Sequence, residues 1–240
     1  MQVSSFDDHI KSENKIRFGQ EAILNLREIS FNKKSLMQLI KRGNKNGNCC
    51  EIIYSEANSR KLNYFFKQTV HAGEPQLKGF FDTEFLKRHR LFVIKNDQDK
   101  WYGAILLTVK NTKLVQTELL LRMKHSPACV MESLIFFIYN KLKEEGFEKW
   151  SLGAVPFVGK SSFYRLKEYL LIRTGRLLNF AYNYNGLYFF KNKFNPEWND
   201  CYLLSNRRIS YASILKIAVQ SNLLSLIVYK FVISFQNIFS

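Results

Sequence analysis

Residues 128–146 constrain the fold more than any other segment. Val130, Met131, Leu134, Ile135, Phe137, Ile138 and Leu142 recur there at helical spacing and leave little polar surface. A helix that is apolar on most sides must be buried on most sides, so it needs a sheet beneath it. Gly146 is the residue expected just past its C-terminus. Upstream, residues 91–95, 101–109 and 115–123 read as strands, joined by the turn residues Asn96 to Asp99 and by Asn111 and Thr112. Residues 147–152 read as a further strand after the helix.

The flanks fit the same class. Residues 21–26 and 50–54 predict strands, and 58–71 and 161–171 predict helices. Asp82 is the expected N-cap of a short helix reaching residue 88. Residues 31–45 carry Leu36, Leu39 and Ile40 among Lys33, Lys34, Lys41, Arg42 and Lys45, a basic amphipathic helix ending at Gly43 or Gly47. The class is α/β in the α+β sense: a mixed, mainly antiparallel sheet flanked by helices, with an apolar helix at the C-terminal end. A meander, a buried helix and a further strand in that order suit an N-acetyltransferase-like fold. The phosphate loop Gln/Arg-x-x-Gly-x-Gly/Ala of that fold does not occur. The glycines of the stretch from Arg42 to Gly47 are wrongly spaced, so no cradle for coenzyme A is expected.

Charge bears on partners. Lys and Arg number 36 against 20 Asp and Glu, a formal net charge of +16. Such a balance points to nucleic acid, anionic lipid or both, the alternative being a merely solubilising surface. Cys49, Cys50, Cys129 and Cys201 and the four histidines show no metal-ligand spacing, so a reducing compartment and no structural metal are expected. The first 20 residues are polar and predict no signal peptide. Residues 209–240 are apolar, but the charge-free run 217–229 is shorter than the roughly 20 residues of a membrane-spanning helix. An interfacial or packed helix is therefore expected there.

Three ordered segments carry a resemblance. The first is Gly19-Gln20-Glu21-Ala22, followed by Lys33 and Lys34. The second is Leu120-Leu121-Arg122, then Val130-Met131-Glu132-Ser133-Leu134, then Leu152-Gly153-Ala154-Val155-Pro156. The third is Gly186-Leu187, then Phe190-Lys191-Asn192-Lys193-Phe194-Asn195-Pro196-Glu197-Trp198. Together they resemble the C-terminal domain of phosphatidylglycerol lysyltransferases, over residues 18–203. The resemblance implies an acyltransferase-like fold and transfer of an aminoacyl group from aminoacyl-tRNA to phosphatidylglycerol. The tRNA ester is already activated, so the resemblance implies no cofactor and no metal, with aminoacyl-tRNA as co-substrate. It implies anionic phospholipid and the inner membrane surface as partners, and a peripheral cytoplasmic location.

The resemblance assigns catalytic roles to Arg122, Glu132 and Lys193, and substrate binding to Lys191, Lys33, Lys34, Lys41 and Arg42. It departs from the family at Leu119, where Asp-Leu-Met-Arg has its carboxylate. Glu118, its neighbour, would face the other side of a regular strand. The expected organisation is a tail over 1–18, the lysyltransferase-type domain over 19–205 and the apolar helix over 206–240. Family members carry a first lobe before the Gly-x-Glu-Ala strand, so a separate subunit supplying it is a further expected partner. The alternatives are a different acyl or aminoacyl transfer on the same fold, or a non-catalytic basic domain that binds membrane or RNA.

Overall fold

The structure, a computed structural model, describes residues 14–28, 31, 33–78, 84–159, 166–177, 179 and 183–239. Its strands are β1 (Lys15–Asn25), β2 (Asn48–Ile52), β3 (His89–Lys95), β4 (Trp101–Val109), β5 (Leu114–Arg122), β6 (Lys149–Pro156) and β7 (Glu197–Leu204). Its helices are α1 (Lys34–Asn44), α2 (Glu56–Phe66), α3 (Val130–Glu144), α4 (Leu166–Leu177), α5 (Tyr184–Asn192), α6 (Tyr211–Gln220) and α7 (Leu223–Phe239). The mixed α/β class with a mainly antiparallel sheet is the observed one. Seven strands lie in the order β2-β3-β4-β5-β6-β1-β7. Neighbours are antiparallel except β5 and β6, which run parallel.

Helix α3 is buried as its composition requires. Met131, Leu134, Ile135, Ile138 and Leu142 pack on Phe92, Ile105, Val115 and Trp150 of the sheet, with Leu36 and Ile40 of α1 joining the same core. The opposite face is covered by α2, whose Leu62 and Phe65 meet Leu91, Leu106 and Trp101. Helix α1 does not end at Gly43 but runs through it. A Cβ at Gly43 would lie 2.2 Å from the Cys129 carbonyl oxygen, so glycine lets α1 approach the start of α3.

Several other boundaries differ from the expected ones. Strand β1 begins at Lys15, because Lys15, Ile16 and Arg17 pair with Leu204, Leu203 and Tyr202 of β7. Helix α2 starts earlier and ends earlier than expected: Ser55 is its cap, with its side chain accepting from the Asn58 amide at 3.0 Å. Asp82 and residues 161–165 lie outside the described residues. Residues 84–88 are not helical, and β3 follows directly. The C-terminal apolar stretch is two helices. They break at Ser221 and Asn222, and Asn222 is left-handed at φ 62°, a conformation asparagine tolerates well.

The most consequential difference is in β5. Its pairing with β4 shifts register between Thr117 and Leu119, leaving Glu118 as the extra residue of a bulge. In a regular strand, 117 and 119 would share a face. Here Thr117 accepts a hydrogen bond from Trp150 Nε1 at 3.0 Å on the α3 side, whereas Leu119 packs in the α2-side core. Glu118 itself is buried, and its side chain pairs with Lys110 at 3.4 Å. Trp150 is fully buried. Thr117→Val, which keeps the shape and removes the acceptor, is therefore expected to cost about 1–3 kcal/mol in urea denaturation.

Candidate functional site

Strands β5 and β6 pair only at Leu114–Lys149, Val115–Trp150 and Gln116–Ser151. Beyond that point each continues without a ladder to the other, to Arg122 and Pro156 respectively. Gly153 opens the gap, with φ +87°, a backbone that an L side chain rarely adopts. Lys191 of α5 fills it. Its Nζ donates to the carbonyls of Gly153 at 2.9 Å and Ala154 at 3.3 Å. Burial pushes the Lys191 amine down to about 7, partly offset by Glu21, which faces it and favours the charged form. Glu21 accepts a hydrogen bond from Ser151 Oγ, and that same oxygen accepts from the Gly153 amide at 3.0 Å. Cys201 of β7 also faces this cluster, and burial pushes its thiol up to about 12.

Lys191, expected as a substrate-binding residue, is thus placed inside the domain. With 3% of its surface exposed, it presents no solvent-facing cation for a phosphate. Glu21, Ser151 and Cys201 were not among the expected site residues. A signal for two of them existed: Glu21 lies in the Gly-x-Glu-Ala motif, and Ser151 immediately precedes Leu-Gly-x-x-Pro.

A second constellation lies at the C-terminal end of α5. Lys193 Nζ sits 2.8 Å from Oε1 of Glu132, in the first turn of α3. The carboxylate is buried and the ammonium is about two-fifths exposed. A shallow cleft of about 260 Å³ runs from Lys193 to the start of α1, lined by Lys33, Ser35, Leu36, Leu39, Phe189 and Asn192 as well. No acidic residue occurs in the first turn of α1, and the Lys33 side chain makes no capping bond. Its amides and the two lysines together favour a bound anion.

The remaining candidates lie apart. Lys41 and Arg42 are exposed in the last turn of α1, roughly 12 Å along the axis from Lys33. Lys34 is exposed in the first turn. Arg122 is exposed at the end of β5, where its carbonyl accepts from the Val70 amide. Leu119, at the family's carboxylate position, is buried in the α2-side core.

The fold and these two constellations define a mixed α/β domain with a parallel strand pair that splays around a buried lysine. The family described as "Phosphatidylglycerol lysyltransferase, C-terminal" matches residues 13–205, and the chain belongs to that family. It is 26% identical over 144 residues to the phosphatidylglycerol lysyltransferase of Bacillus subtilis (strain 168), covering 57% of this chain and 17% of that protein. The Staphylococcus aureus (strain COL) protein of the same name is 24% identical over 129 residues, 52% of this chain and 15% of that one. The chain therefore matches less than a fifth of the length of these relatives. Among solved structures, L-PGS from Bacillus licheniformis superimposes with a TM-score of 0.66 at 19% identity, over 88% of this chain and 67% of that one. The C-terminal domain of a putative lysylphosphatidylglycerol synthetase from Agrobacterium fabrum gives 0.67 at 21% identity, over 87% and 65%. These likenesses concern the fold.

Proposed function

We propose that this domain transfers an aminoacyl group from the ester of an aminoacyl-tRNA to a hydroxyl of phosphatidylglycerol. The observation that carries this reading is Lys193, which lines the cationic cleft at the start of α1 and pairs behind it with the buried Glu132. In the reaction, the lipid hydroxyl oxygen bonds to the ester carbonyl carbon and the bond to the tRNA ribose oxygen breaks. The proton of the hydroxyl ends on that ribose oxygen. In this reading Glu132 takes the proton in passing, and Lys193 stabilises the negative charge that develops on the carbonyl oxygen. Lys33 and the amides of α1 would hold the lipid phosphate, and Lys34, Lys41 and Arg42 would offer the tRNA backbone a basic helix face. The chemistry needs no further cofactor, because the tRNA ester is already activated. The acyltransferase-like reading of the fold draws support from the β3–β5 meander, the buried α3 and the parallel β6 that comes after it.

The test is incubation of the protein with charged tRNAs and phosphatidylglycerol in mixed micelles. Aminoacyl-phosphatidylglycerol is expected. Glu132→Gln is expected to slow its formation by about 100-fold or more with little change in melting temperature. No product with any charged tRNA would overturn the reading. A second reading, a non-catalytic basic domain, is favoured by Leu119, since a buried leucine replaces the family's carboxylate. Retained lipid binding without transfer would decide for it.

A further inference from the structure

Helices α6 and α7 lie beyond the residues matched by the family. Their inner side is tied to the domain. Leu226 and Ser221 are buried, Asn222 Nδ2 donates to the Gln76 carbonyl at 3.1 Å, the Lys78 amide donates to the Ser221 carbonyl, and Lys230 pairs with Glu74. Their outer side carries two matched apolar rows. Tyr211, Leu215 and Val219 on α6, and Leu224, Val228 and Val232 on α7, all are exposed large apolar side chains. Each row has the i, i+4, i+8 spacing that places side chains along one helix face. These tethers fix α6 and α7 to the domain and leave the rows facing outward.

We infer that α6 and α7 form an interfacial anchor that lays this domain on an anionic lipid bilayer. Composition selects the occupant. From Cys201 to the end of the sequence there is no Asp or Glu, while Arg207, Arg208, Lys216 and Lys230 occur among the apolar residues. Arg207 and Lys216 are exposed, and Lys216 sits one residue round the helix from Leu215, on the flank of the row. Apolar rows flanked by cations and free of anions match the acyl–headgroup boundary of a negatively charged leaflet. Geometry selects lying over crossing. The helices have 10 and 17 residues, about 15 and 25 Å, each short of the roughly 30 Å hydrocarbon core. They also meet at a bend of 70°, so the pair is not one straight rod. The inference rests on the proposed lipid substrate only for the choice of an anionic headgroup.

The experiment is flotation of the whole chain with vesicles of about 30 mol% phosphatidylglycerol in phosphatidylcholine, without tRNA. The wild type is expected to float with these vesicles, and to lose most of that binding with pure phosphatidylcholine or at high salt. Leu215→Asp combined with Val228→Asp is expected to weaken binding about tenfold or more. Val109→Asp, at an exposed apolar position on β4, is expected to leave binding within about twofold. An unchanged melting temperature for the double variant separates lost docking from lost folding. The inference is overturned if the double variant binds as the wild type does, or if the wild type does not float. It is also overturned if the double substitution converts a dimer to a monomer in sedimentation, which would assign the rows to a second copy. Transfer activity in mixed micelles is read separately: a protein that floats without transferring sinks only the proposed reaction, and one that transfers without floating sinks only the anchor.

Discussion

Raising the pH from about 6 to about 8.5 is expected to stabilise this protein through Lys191 by about 2 kcal/mol, and Lys191→Met is expected to abolish that gain. The amine is held near 7 in the folded protein, chiefly by burial, against about 10.4 in the unfolded chain. Between those values the unfolded chain binds more protons than the folded one, so stability rises with pH. The contribution is smallest below 7 and complete only above the unfolded value. Cys49 and Cys201 act in the opposite sense at higher pH. Their thiols are raised to about 11 and about 12, so the unfolded chain loses protons first above about 9. The comparison with Lys191→Met across the window from 6 to 8.5 isolates the lysine. Thermal melts of wild type and Lys191→Met across it measure the difference, expected as roughly 4–8 °C of wild-type rise for a chain of this size. An equal rise in both proteins would mean that Lys191 keeps its proton in the fold.

Gly19→Val is expected to destabilise the domain by more than about 4 kcal/mol, enough to prevent folding in most conditions. Gly19 stands between Pro156 of β6 and Cys201 of β7 in the register of β1. A Cβ there would meet the Val155 carbonyl oxygen at 2.2 Å and the Pro156 Cα at 2.8 Å. Both obstacles are backbone of a paired strand, so no side chain can swing aside. Gly146 provides the contrast. Among the described residues nothing lies within 4 Å of a Cβ there, but φ is +84°, so Gly146→Ala should cost only about 1–2 kcal/mol of backbone strain. Urea denaturation of the two variants orders them. A Gly19 variant no weaker than the Gly146 one would contradict the β1–β6 register.

The Gly-x-Glu-Ala motif gains a physical meaning from this arrangement. Gly19 permits the strand contact, Glu21 accepts from Ser151 Oγ and favours the charged form of Lys191, and Ala22 is fully buried in the α3-side core. The motif was legible as a resemblance, but its three jobs were not, because each depends on a partner more than 100 positions away.

Periodicity and composition, which the sequence carries by itself, determined the buried helix, the meander and the chemistry of the partners to look for. An α3 apolar on most sides had to be buried, since no other arrangement removes that surface from water. Alternating segments and polar turns placed the β3–β5 meander, and the charge of +16 pointed to polyanions. Tertiary structure decided whatever hangs on a phase shift or a distant contact. One extra residue at Glu118 turned Leu119 to the other core, and no local pattern announces such a bulge. Lys191 and Lys193, two positions apart, became a buried amine of lowered pKa and a partly exposed ion-pair partner of Glu132. Side chains two apart on a helix point about 200° apart. Which of those directions met the splayed strands, and which met the cleft, was settled only by how α5 packs on β6.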